Sequence, residues 1–91
     1  MIEFEWDTAK AKANLQKHTV SFEQAKKAFR DPFGVEWLDQ NHEEERTILL
    51  AMADGTILVV VFAEHGERVR LISARKATKH EKNLYFRENQ A

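Results

Sequence analysis

Two dipeptides and one run of arginines in this sequence could do chemistry: Lys17-His18, Glu45-Arg46, and Arg68, Arg70 and Arg75. A histidine can take or give a proton near neutrality, because its reference pKa is about 6.5. A guanidinium presents a planar fork that grips phosphate in a bidentate way. Metal-free cleavage of RNA needs such parts: a base for the 2′-hydroxyl proton, cations for the charge that builds on the phosphate, and an acid for the leaving 5′ oxygen. Other chemistries are poorly served. The chain has no Cys, which excludes disulfides, thiolate metal sites and Cys nucleophiles. His18, His42, His65 and His80 are widely separated, with no metal-ligand spacing and no Gly-rich phosphate loop, so no metal and no cofactor is expected. Ser21 and Ser73 are the only serines, and Ser21 already has a helix-capping role.

Each candidate also has a plain structural use. Arg68 and Arg70 project to one face of a strand, which suits a working surface but equally a charged edge that resists aggregation. Arg75 has the opposite parity and sits where the strand ends. Lys17-His18 closes a helix, where the macrodipole favours cations. Glu45-Arg46 can be an ion pair at the start of a strand. Trp6 and Phe22 are expected in the core; Trp37, if exposed, stacks on a base or buries in a partner. Spacing alone leaves these alternatives open.

The elements that must position these residues can be read from the pattern. Residues 2–6 alternate as a short strand. Asp7 caps a helix from Thr8 to about Lys17, rich in alanine. Ser21 to Gln24 reads as a capping box before the stripe Phe22, Ala25, Ala28, Phe29. Asp31-Pro32 ends that helix. Residues 33–38 suggest a strand and 39–45 an acidic loop. Residues 46–53 and 56–63 are apolar runs joined by Asp54-Gly55, a hairpin signal. His65-Gly66 makes another turn, residues 67–74 the next strand, and Thr78 to Glu81 a second capping box opening a C-terminal helix. The order β-α-α-β-β-β-β-α implies an α+β domain spanning residues 1–91: one antiparallel meander sheet, one face polar, with two N-terminal helices and a C-terminal helix on the other.

Length and charge set the outer limits. Ninety-one residues allow one core, and 43% hydrophobic with 32% charged residues marks a globular chain. The net charge of −1 hides a polarity. Residues 31–46 carry six acidic side chains and one basic, whereas from Gly66 onward seven basic residues, Lys79 among them, face three acidic. A basic C-terminal segment can contact phosphate, and ordinary solvated surface would carry the same charges. The longest apolar run, Ile57–Ala63, is strand length, and the N-terminus lacks a secretory pattern, so a cytoplasmic protein without membrane association is expected.

Taken together, these residues resemble the BrnT toxin family. The first block is Phe4, Trp6-Asp7, Lys10, Asn14, Lys17-His18, Val20 and Phe22; the second is Ile72-Ser73-Ala74-Arg75, Ala77-Thr78, Glu81 and Tyr85. Phe29, Asp31-Pro32, Glu45-Arg46 and Val59–Val61 fit between them. Thr19 departs from the usual Gly after Lys-His, and Ala63 stands where Thr is common. The resemblance implies a RelE-like fold and a metal-independent, ribosome-independent ribonuclease toxin of the type II toxin–antitoxin kind. It also implies a BrnA-like ribbon-helix-helix antitoxin as partner, with operator DNA reached only through that antitoxin. The site it implies is Lys17, His18, Arg46, Arg70 and Arg75; Arg68 on the same strand and Lys79 in the basic C-terminal segment are expected as further RNA contacts. The alternative is a catalytically inactive homologue that only binds its antitoxin and helps repression.

Overall fold

The computed structural model describes residues 2–40 and 43–89; His42 lies outside them. Its elements are β1 (Glu3–Glu5), α1 (Thr8–His18), α2 (Phe22–Ala28), β2 (Val35–Asp39), β3 (Arg46–Ala53), β4 (Thr56–His65), β5 (Arg68–Lys76) and α3 (Lys79–Glu88). The local signals act as expected at most joints. The Asp7 carboxylate accepts the N–H groups of Ala9 and Lys10, which caps α1. Asp54 and Gly55 both take positive φ, 52° and 77°, as a two-residue hairpin turn requires. Thr78 and Glu81 form the reciprocal capping box of α3. Ser21 gives only half of one: its Oγ accepts the Gln24 N–H at 3.0 Å, without a return bond among the described residues.

The five strands form one sheet in the order β1-β5-β4-β3-β2. From β2 to β5 it is the expected antiparallel meander. The expectation of a purely antiparallel sheet fails at β1, which pairs parallel with β5: Glu3 with Arg68, Phe4 with Val69, Glu5 with Arg70. The reason lies in the connection. Only a tight turn forces neighbours to be antiparallel, and two helices separate β1 from β2. The crossover carries the chain to the far edge of the sheet.

The expected polar face is also wrong where β3 and β4 run. β3 and β4 are apolar on both faces, so each face needs a cover. On one, α1 and α2 close over Leu49, Ala51, Leu58, Val60, Phe62 and Leu71, with Val20, Phe22, Ala25 and Ala28 from the helices. Phe22 is buried as expected, with half-buried Trp6 edge-on to its ring at 5.9 Å. On the other face α3 lays Tyr85 and Leu84 over Leu50, Ile57 and Val59 at the hairpin end. Asp31 pins that helix: it accepts the Tyr85 hydroxyl at 2.6 Å, the Met52 N–H at 2.8 Å and the Phe33 N–H at 2.9 Å. Burial works against the charge on Asp31, but the three hydrogen bonds outweigh it and hold the carboxyl below its ordinary value. Burial and the same carboxylate push the Tyr85 phenol up to about 12.

Candidate functional site

α3 covers only the hairpin end of its sheet face, and the sequence-selected arginines occupy the rest. β5 supplies three of them through a local irregularity. Phe62 pairs with Leu71 but Val61 pairs with Ser73, so Ile72 is an extra residue in β5. Val69 and Leu71 pack under the α1–α2 layer, and so does Ala74, three residues beyond Leu71. The bulge therefore resets the alternation. Arg68 and Arg70 before it, and Ser73 and Arg75 after it, all point to the α3 side. Strict alternation would have put Arg75 on the opposite face, and the bulge removes that objection.

Arg70 pairs across with Ala63, whereas Arg75 pairs with Val59, four residues along β4. That is about 13 Å along the strand. The candidates accordingly divide into two groups. Arg46 opens β3 next to Thr47, which pairs with Phe62, so it flanks Ala63 on the side away from Arg70. Arg46, Arg68 and Arg70 thus gather at one end of the sheet. Each arginine of β5 there meets carboxylates. Arg70 bonds to Glu44. Arg68 lies 3.4 Å from Glu3 and 3.8 Å from Glu5. Glu5 also accepts His65 Nδ1–H at 2.9 Å. Those contacts lower the Glu44 carboxyl, chiefly through its bond to Arg70, and the Glu5 carboxyl, chiefly through its bond to His65. The Arg46 Nε is buried without a hydrogen-bond partner.

The other end of β5 holds Arg75, Lys76 and, just beyond Thr78, Lys79. Lys17 and His18 reach this end through Asn14. Its buried amide donates to the Ala74 carbonyl at 2.8 Å and accepts the Ala74 N–H at 3.1 Å. It thereby stands in for a neighbouring strand where β1 no longer runs beside β5. The same Nδ2 donates to the Val20 carbonyl at 2.9 Å and fixes the α1–α2 corner. α1 leaves β1 beside Arg70, reaches Ala74 at Asn14, and ends one turn later. Lys17 and His18, three and four residues after Asn14, lie on its side of the helix; α1 belongs to the layer over the face opposite Arg75, and no hydrogen bond or ion pair among the described residues joins either residue to Arg75. Lys17 is exposed and His18 half-buried.

Arg75 is not loose. Its two terminal nitrogens donate to the two oxygens of Glu81 at 2.8 and 2.9 Å, and one also reaches the Lys76 carbonyl at 3.4 Å. The pairing drives Glu81 down to about 2, with the Thr78 N–H adding to the effect and burial opposing it. The bond to Glu81 raises Arg75 further above its ordinary value. A guanidinium has five N–H donors, so the clamp orients the fork and leaves donors for a phosphate.

Thr19 closes α1 in the left-handed region, at φ 57° and ψ 25°. The position is one that glycine occupies without strain, and a threonine there costs about 1–2 kcal/mol. Its Oγ1 donates to the His18 carbonyl at 2.6 Å, a local partner for the hydroxyl.

Asn14 and Glu81 are the residues that function-directed reading of the sequence missed. Asn14 is one of two amides on α1, with Gln16, and its partner Ala74 is sixty residues away. Glu81 was legible as a cap and not as the clamp on Arg75. Among the described residues no group of three or more His, Asp or Glu side chains is arranged to hold a metal ion, and no helix is long and apolar enough to cross a membrane.

Fold and site define a small α+β protein with a mixed five-stranded sheet and a cationic end beside the last helix. Residues 6–81 match the family model described as ribonuclease toxin, BrnT, of type II toxin–antitoxin system, and the chain belongs to that family. The family's members are ribonuclease toxins that act on RNA and pair with a protein antitoxin. No curated protein matches the chain.

Proposed function

We propose that this chain cleaves RNA without a metal and without the ribosome, as one RelE-like domain, at the end of β5. His18 takes the 2′-hydroxyl proton as the 2′ oxygen attacks phosphorus. The bond to the 5′ oxygen breaks, and that oxygen leaves with a proton from water, giving a 2′,3′-cyclic phosphate. Arg75 and Lys17 stabilise the charge on the phosphate, and Lys79 holds the neighbouring backbone. Arg46, Arg68 and Arg70 take RNA further along the face once Glu44 gives way. A BrnA-like ribbon-helix-helix antitoxin neutralises the toxin in the cytoplasm and alone contacts operator DNA.

The observation that carries this reading is the Asn14–Ala74 bridge, which ties the turn bearing Lys17 and His18 to the residue before Arg75. Incubating purified protein with RNA in EDTA, without ribosomes, tests it. Cleavage is expected, and His18→Ala and Arg75→Ala should each abolish most of it. No cleavage by the wild type, or cleavage unaffected by both changes, would sink it.

A second reading is a toxin homologue without activity that binds its antitoxin and aids repression. Thr19 favours it, because the strained cap adjoins His18 and could misplace the imidazole. Arrest of growth on expression without the antitoxin would rule it out.

A further inference from the structure

β2 ends the sheet, and among the described residues no strand lies beyond it. Every second residue of such a strand turns its N–H and C=O away from its one neighbour. Natural edges are usually short, charged on both faces or covered. β2 is short, with Glu36 on one face and Asp39 on the other, yet it also shows Trp37 on one face and Leu38 on the other, 37% and 51% exposed. Phe33, just before the strand, is 57% exposed, and Phe86 on α3 is 55% exposed. Asn89 Nδ2 donates to the Phe33 carbonyl at 3.0 Å and to the Tyr85 carbonyl at 2.7 Å, which holds the end of α3 against the start of β2. Four of the six exposed large hydrophobic residues among those described therefore belong to one edge. Single exposed apolar side chains are ordinary; a group of them along an edge strand marks a docking surface. The charges in and after β2 have one sign, with Glu36, Glu43 and Glu45 exposed.

We propose that β2 receives an extended segment of the antitoxin as a sixth strand. Apolar side chains of that segment would seat on Phe33, Trp37 and Phe86 on one face and, at the alternate positions, on Leu38 on the other, and flanking Lys or Arg residues would face Glu36, Glu43 and Glu45. Trp37 pairs with Ile48, on the face that carries Arg46, Arg70 and Arg75. Alternate side chains of the added strand lie over that face. β5 is three strands away, about 15 Å, so the chain continuing from this anchor reaches Arg75 within a few residues. This inference rests on the toxin–antitoxin reading and adds the place and manner of antitoxin binding.

The test uses the purified product of the gene adjacent to this one as the probe, titrated calorimetrically into the full chain. Leu38→Lys and Phe86→Ser place polar groups on the patch at exposed positions, so melting temperature and RNA cleavage by the free protein should stay at wild-type values. Each should weaken binding at least about tenfold, the effect of losing one central interface contact. Leu15→Ser, at an exposed apolar residue of α1, serves as control and should bind normally. Wild-type affinity in both patch variants overturns the inference and leaves the toxin reading standing. So does a dimer of this chain alone that Leu38→Lys converts to monomer, because the edge would then belong to a second copy. No binding of the probe to the wild type overturns both.

Discussion

The two ends of β5 carry similar numbers of cations and use them differently. At the Arg68 end the guanidinium groups of β5 meet Glu3, Glu5 and Glu44, and the contacts fasten β1 and the acidic loop to the sheet. At the Lys76 end one carboxylate, Glu81, clamps Arg75, while Lys76 on the other face of the strand, Lys17 at the end of α1 and Lys79 at the start of α3 are exposed. Charge neutralised by neighbours has little left for a ligand. An arginine held by one carboxylate, within a surplus of lysines, keeps both its orientation and its attraction for phosphate. On the proposed function, this difference assigns the RNA contact to the Lys76 end.

Detaching α1 should break the comparison most completely. Asn14→Ala removes three buried hydrogen bonds and leaves backbone groups of Ala74 and Val20 without partners. The expected loss is about 3 kcal/mol of unfolding free energy, read from urea denaturation. A loss below about 1 kcal/mol would mean that α1 is held chiefly by apolar packing.

Glu81→Gln sharpens it. The folded carboxyl lies at about 2 against an ordinary 4.5, a depressed value. Its contribution is therefore present above about pH 4.5 and disappears as the pH falls towards 2. At neutral pH the variant should be less stable by about 1–2 kcal/mol, from the lost clamp and half of the capping box. The gap between variant and wild type should close between those two pH values. A gap that stays constant across acid pH would show that Glu81 acts through packing.

The smallest effect is expected at Thr19. Thr19→Gly removes a left-handed threonine and should raise stability by about 1 kcal/mol, seen as a higher melting temperature. An unchanged or lower value would mean that the Thr19 Oγ1 bond to the His18 carbonyl offsets the strain.

Much of the fold was legible because its signals are local. The Asp54-Gly55 turn, the Thr78–Glu81 box and the Asp7 cap each act within four residues. The parallel pairing of β1 with β5 was not, since alternation in residues 2–6 gives a strand but no neighbour. Nor was the bulge at Ile72, which depends on how β4 and β5 meet. The candidate residues were legible as a set of cations. Their division into two ends was hidden, because Glu44, Glu81 and Asn14 decide it and each does so through contacts that spacing does not encode.

The measurement that bears most directly on the central claim compares RNA cleavage rates of Arg75→Ala and Arg68→Ala with the wild type, all folded by circular dichroism. Arg75→Ala should be slower by about 10²-fold or more, the cost of losing one transition-state donor, and Arg68→Ala should stay within about threefold. Equal losses, or the larger loss at Arg68, would contradict the assignment of the site to the Lys76 end of β5.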